Sequence, residues 1–143
     1  MAKVLAVCIS EKKGIRKTEV PSIKVLVNHG IVGDAHAGNW HRQISLLAKE
    51  SIDKLNGLGI ELTAGIFAEN IVTEGIELTS LPVGARLSVG NTVLEVTQIG
   101  KECHNDCEIK RTAGKCVMPT EGIFAKVINE GEIFPGDNIE IMK

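Results

Sequence analysis

The segment Lys101-Glu102-Cys103-His104-Asn105-Asp106-Cys107 holds the residue types best suited to chemistry. A thiol acts as nucleophile or metal ligand only as the thiolate, and a neighbouring cation favours that form. Lys101 stands two residues from Cys103, so Cys103 is the expected working thiol. A thiolate there can ligate a transition metal or carry sulfur as a persulfide. Cys107 and Cys116 complete a group of three thiols within fourteen residues. A structural zinc site is the alternative, with Cys103, His104, Cys107 and Cys116 as its four possible ligands. Its spacing is not that of a standard zinc finger, and adjacent Cys103 and His104 reach one tetrahedral ion with difficulty. A redox disulfide between Cys107 and Cys116 is the other open reading. An iron–sulfur cluster lacks a clear fourth thiolate and its usual spacings.

A second group lies in Gly33-Asp34-Ala35-His36 and Arg42. Glycines let backbone N–H groups approach a ligand, Arg offers a fork suited to phosphate, and His donates or accepts a hydrogen bond. An anionic small ligand suits these parts. The plainer reading is that Asp34 caps a turn, that His36 and His41 are solvated, and that Arg42 pairs with a carboxylate. A third group, Glu69-Asn70 with Thr73, either lines a pocket or satisfies a turn. Cys8, inside an apolar run, reads as a core residue.

The elements that must position these groups are short strands. The 143 residues amount to one domain, 1–143. Hydrophobic residues make up 43% of the chain, with no Tyr, one Trp and three Phe, so the core is built from branched aliphatics that favour strands. Strands are expected over 2–10, 23–27, 43–47, 67–72, 86–89, 92–99, 123–129 and 138–142. Gly90-Asn91 supplies a hairpin turn, and 48–55 is the best helix candidate, ending at Asn56-Gly57. Residues 12–17 read as a charged loop, and 29–42, with three of the four His, as a long loop of the kind that carries function. The fold class is therefore mainly β: a single barrel with one or two short helices. Thr63 to Ile71 matches Thr120 to Ile128 at six of nine positions, and a Gly before a strand follows each copy (Gly84 and Gly136). This echo reads as two similar barrel corners related by a pseudo-twofold.

Net charge is −2 with no basic block, so nucleic-acid binding has no electrostatic footprint. No apolar run approaches the ~20 residues of a membrane span. The first residues run too quickly into Lys12 and Lys13 for a signal peptide, so a cytoplasmic location is expected. A homodimer through an edge strand is open.

Gly33-Asp34-Ala35-His36 followed by Arg42 to Leu47 resembles the opening signature of the MOSC family, the molybdenum cofactor sulfurase C-terminal domain. Glu69-Asn70-Ile71, Gly75 to Leu78 and Leu81 to Gly84 resemble its middle, and Gly122 to Val127 with Gly136-Asp137 its end. The similarity runs in order through nearly the whole chain, and the short stand-alone prokaryotic members are most alike. The resemblance implies a mainly-β barrel with a cysteine at its mouth, matched by position to Cys103. It implies association with molybdenum cofactor (molybdopterin), with Cys103 as metal ligand or persulfide carrier and Cys116 or Cys107 as alternatives. Asp34, His36, Arg42 and Asn70 become cofactor-binding candidates, and Cys103 with Lys101 the catalytic pair. The implied activity is sulfur transfer with a partner, either a cysteine desulfurase or a protein of cofactor biosynthesis or a molybdoenzyme. The chain has no pyridoxal-phosphate domain, so that cofactor enters only through a partner. It also lacks the additional N-terminal barrel that helps enclose the pterin in related reductases. Two other classes remain: a non-catalytic module that binds a small anion or pterin, and a thiol redox or metal sensor.

Overall fold

The computed structural model describes residues 2–12, 17–50, 65, 69–100 and 122–142. Their elements are β1 (Lys3–Ile9), β2 (Thr18–Val20), β3 (Ile23–Leu26), β4 (Gly30–Ile31), β5 (Ile44–Ala48), β6 (Ile71–Glu74), β7 (Arg86–Val89), β8 (Thr92–Ile99), β9 (Ile123–Asn129), β10 (Gly131–Ile133) and β11 (Ile139–Ile141). A 3-10 turn, Leu78–Ser80, separates β6 from β7. Lys49 and Glu50 are helical, while Ala48 closes β5 rather than opening the helix; the rest of the expected helix lies outside the described residues. Among the described residues no helix is long and apolar enough to cross a membrane.

The strands follow from alternation where one face is dry. β8 buries Thr92, Leu94 and Val96 and leaves the residues between them half-exposed, and β3 alternates buried Ile23 and Val25 with exposed Lys24 and Leu26. β5 is different, because all five of its residues are buried. It lies in the middle of the large sheet, parallel to β6 and antiparallel to β9, and strands placed so read as continuous apolar runs. Leu46 pairs with Ile71 on one side and Ile123 on the other. Three short strands are absent from the sequence expectation: β2, β4 and β10. Each has two or three residues, too few for a period to show.

Eight strands form one sheet in the order β11-β7-β8-β9-β5-β6-β1-β2, and β10-β3-β4 form a second, smaller one. The expected closed barrel is corrected here: the large sheet is open, with β11 and β2 at its edges. Its two halves meet at one isolated bridge, Lys3 with Asn138, which is not a ladder. The internal echo has a structural counterpart at that place. Gly84 N donates to Val96 O and Val96 N to Ala85 O, both at 2.8 Å. Gly136 N donates to Val4 O at 2.7 Å and Val4 N to Asp137 O at 2.9 Å, the same pattern on β1. β7 and β11 then pair symmetrically, Leu87 with Ile141, Ser88 with Glu140 and Val89 with Ile139. A local twofold therefore passes between Ser88 and Glu140.

β8 carries an irregularity that matters for the site. Val96 pairs with Ala125 and Gln98 with Phe124, so Thr97 is an extra residue. Such a bulge re-aims side chains. Here the Thr97 hydroxyl donates to the carbonyl oxygen of His41.

Leu46→Ala is expected to cost ~2–5 kcal/mol, because the site is closed on both sides and collapses poorly; chemical denaturation measures it. Cys8 is fully buried, as expected, and burial, with Glu69 and Glu19 nearby, pushes its thiol from 9.0 up to about 12. A raised folded value gives stability that is present below pH 9 and lost as pH rises towards 12. Over that range the wild type is expected to lose more stability than Cys8→Ala, as followed by urea titration at stepped pH.

Candidate functional site

The loop between β4 and β5 is built around a buried charge. The Asp34 side chain is completely buried, and so is that of Lys17, an ion pair with Nζ–Oδ1 at 2.8 Å. Isolated charges cannot be left dry, so such a pair must be fully hydrogen-bonded. The same Asp34 Oδ1 accepts from Ser10 N at 3.1 Å, and Oδ2 from His36 N at 3.0 Å. Lys17 Nζ also donates to Ser10 Oγ at 3.0 Å and lies 3.1 Å from His36 Nδ1. Burial pulls the Asp34 carboxyl upward, but the adjacent His36 ring, the charge and hydrogen bond of Lys17 and the His36 backbone N–H outweigh it, so Asp34 sits well below the usual carboxylate range. Burial works the other way on Lys17, drawing its ammonium below the usual value, with Asp34 opposing.

Lys17 is the residue that sequence reasoning missed. Its place in a charged loop pointed to solvent, yet it lies immediately before β2 with its backbone held by Gly65, whose carbonyl accepts Lys17 N at 2.7 Å. Gly65 has φ +89, and a Cβ there would run into the Lys17 carbonyl oxygen, so only glycine fits. Glu69 Oε2, fully buried, accepts from Gly65 N at 3.0 Å and steadies that turn.

From Asp34 the loop lays out a row of rings. Trp40 Nε1 donates to His36 O at 2.7 Å, and the His36 and Trp40 rings are parallel with centroids 6.3 Å apart. His41 meets the edge of Trp40 at 5.7 Å and bonds Gln98 Oε1 at 3.0 Å. Arg42 Cζ lies 5.4 Å from the Trp40 ring and 5.6 Å from that of Phe124. Such contacts hold a guanidinium in place. The carboxylate expected opposite Arg42 is absent among the described residues, where its buried Nε has no hydrogen-bond partner. A pocket of about 310 Å³ opens beside this row, lined among others by Asn39, Trp40, His41, Thr97 and Lys126.

The structure thus sets His36 and Arg42 against the same Trp40 ring, with Asp34 holding the backbone of His36. Asn70 has another place. It is fully buried between β5 and β6, where Oδ1 accepts from Ser45 N and Oγ at 2.9 and 3.1 Å, and Nδ2 donates to Cys8 O at 3.0 Å. Its amide ties β1 to β5, and among the described residues it makes no hydrogen bond to His36 or Arg42. Thr73 is also fully buried, and its hydroxyl has no partner among the described residues. Lys101, Cys103, Cys107 and Cys116, with the zinc and disulfide alternatives built on them, lie outside the described residues. The described residues hold no cluster of metal-ligating side chains. Where the chain leaves β8 is clear: Gly100 N donates to Gly122 O at 2.7 Å, one residue after Ile99 and two after Gln98, the partner of His41.

Asp34→Asn leaves Lys17 buried without its counter-charge, at an expected cost of ~3–5 kcal/mol. Because the Asp34 carboxyl is depressed, its stabilisation is present above the ordinary carboxylate value and lost as pH falls through the folded one. The stability gap between wild type and Asp34→Asn is therefore expected to persist down to about pH 4 and to close only below it. Denaturant titrations of both proteins across this range measure the gap.

Comparison with known proteins places this geometry. The YuaD protein from Bacillus subtilis superposes with a TM-score of 0.78 at 19% identity, covering 99% of this chain and 96% of that one. YiiM from Geobacillus stearothermophilus gives 0.76 at 19% identity, covering 100% and 76%, and YiiM from Escherichia coli 0.69 at 16%, covering 100% and 70%. At such identities the likeness is one of fold. No curated protein matches the sequence. The MOSC domain family profile matches residues 33–140, from the glycine before Asp34 to the last strand, and the chain belongs to the MOSC domain family.

Proposed function

We propose that this MOSC domain binds the anionic part of a molybdenum cofactor, or its oxyanion, at the His36–Arg42 loop, and works with Cys103 as a sulfur carrier or metal ligand. The observation that carries the reading is Arg42. Its guanidinium is half-buried between Trp40 and Phe124 with no carboxylate partner among the described residues. A cation held by aromatic rings and without a carboxylate partner among the described residues suits a phosphate or another oxyanion. His36 adds a hydrogen-bonding ring nearby, and the adjoining pocket is at the small end of the range for ligand sites. The donor set fits a phosphate-bearing pterin, for which the bound cofactor would supply the molybdenum and its sulfur-accepting position.

Cys103 and Lys101 follow Gly100, which is where the chain leaves β8 next to the His41–Gln98 contact. In the carrier reading, the Cys103 thiolate attacks the outer sulfur of a partner's persulfide. A Cys103 persulfide forms as the donor's thiolate leaves, so sulfur moves with no net oxidation. Lys101 favours the anionic sulfur. A cysteine desulfurase, whose own pyridoxal phosphate supplies the chemistry, is a fitting donor, and a cofactor-assembly protein or molybdoenzyme a fitting acceptor. The chain acts in this reading as a cytoplasmic sulfurtransferase-like component, with a homodimer compatible with its open edges.

Elemental analysis of the purified chain with intact mass under non-reducing conditions tests this directly. Bound molybdenum, or a gain of one sulfur that is lost on reduction, is expected, and Cys103→Ser abolishes it without unfolding the protein. Arg42→Ala removes a charge-assisted contact worth ~1.5–3 kcal/mol, so retention of the pterin or molybdate is expected to weaken ~10–100-fold. Stoichiometric zinc with unmodified thiols would overturn the carrier role of Cys103.

A further inference from the structure

We propose that Lys17 is a positioning residue that locks His36 in one tautomer, with the proton on Nε2, so that this nitrogen is offered as a hydrogen-bond donor to an anionic or carbonyl oxygen. The inference deepens the proposed reading of His36 as a ligand contact and rests on that reading only for its use.

The geometry allows little else. An ammonium has three hydrogens and no lone pair. Lys17 Nζ has three neighbours within bonding distance: Asp34 Oδ1 at 2.8 Å, Ser10 Oγ at 3.0 Å and His36 Nδ1 at 3.1 Å. Three donors therefore meet three acceptors, and Nδ1 must present its lone pair. The competing arrangement has Nδ1–H donating to Asp34 Oδ2. That distance is 3.6 Å, too long for a side-chain hydrogen bond, and Oδ2 already accepts from the His36 backbone N–H. The ring proton then falls on Nε2, which has no partner among the described residues. The His36 side chain is 18% exposed, so the ring is not sealed off.

The lock needs no charge on the imidazole. It also needs Lys17 to be placed within a few tenths of an ångström, which Gly65 and Glu69 secure through the backbone of residue 17. The Asp34 counter-charge keeps the ammonium from being a lone buried ion. Glu69 and Cys8 are the other ionisable groups acting on Lys17. A neutral Lys17 amine accepting from Nδ1–H is the opposite arrangement, and the two are distinguishable.

The test is long-range proton–nitrogen correlation spectroscopy of the full chain with ¹⁵N-labelled histidine, at neutral pH without ligand. His36 is expected to show an unprotonated Nδ1 and a protonated Nε2. In Lys17→Met, the Asp34 carboxylate is left to draw a proton onto Nδ1, and the Nδ1 resonance is expected to move into the protonated range. A wild-type Nδ1 that carries hydrogen overturns the proposal, and so does an unchanged Nδ1 resonance in a folded Lys17→Met protein. Should that variant lose its fold, the wild-type spectrum decides alone. Because no anion is present, failure here is separate from failure of the Arg42 binding test.

Discussion

A lysine ammonium and an aspartate carboxylate, both taken wholly out of water, set the terms for the loop after β4 and the segments packed on it. Removing either charge from solvent is costly, and their attraction offsets the cost only when every remaining donor and acceptor is satisfied. Lys17 and Asp34 meet that condition through Ser10 and His36. Satisfying it ties the loop after β4 to the end of β1 and the residue before β2, where the β1–β2 ladder closes with Ile9 opposite Thr18. His36 and Trp40 are placed by the same network, and Arg42 follows because Trp40 is fixed.

Around that point the framework is a twisted sheet with an internal symmetry. The turns at Gly84 and Gly136 dock on β8 and β1 with matching backbone hydrogen bonds, and β7 and β11 pair across the local twofold. Both turns are demanding, since each glycine has φ near +95. The sheet stays open because the β1–β11 contact amounts to one bridge, whereas its counterpart between β7 and β8 extends into a full ladder. The centre of the sheet is secured differently, by burial on both faces of β5 and by the Asn70 amide, which replaces ladder contacts between β5 and β1 with side-chain ones.

The site combines rigid and chemically reactive parts on different segments. His36 and Arg42 belong to a loop braced by an ion pair, by ring contacts and by the Thr97 bulge of β8. Cys103 belongs to the sequence that follows β8. In the proposed reading, this division lets the loop hold a ligand still while sulfur or metal is exchanged at the thiol.

Much of this was legible in the chain itself. Loose alternation marked β1, and short branched-aliphatic runs bounded by turns marked β3, β8 and β9. Gly33-Asp34-Ala35-His36 and Arg42 were legible as the opening of the family signature, and the residue types alone left a ligand loop and an ordinary turn both open. Family membership followed from motifs spread in order along the sequence. Other features belonged to tertiary structure alone. β2, β4 and β10 have too few residues to show a period, and exist because neighbouring strands supply hydrogen bonds. For Asn70 the sequence left a pocket role and a turn role open, and only the fold shows its amide bonded to Ser45 and Cys8, because a buried amide's partners come from distant strands. Lys17 is the sharpest case. Sequence determines that it carries a charge, but whether that charge faces water or a buried carboxylate depends on where Asp34, seventeen residues away, is folded to meet it.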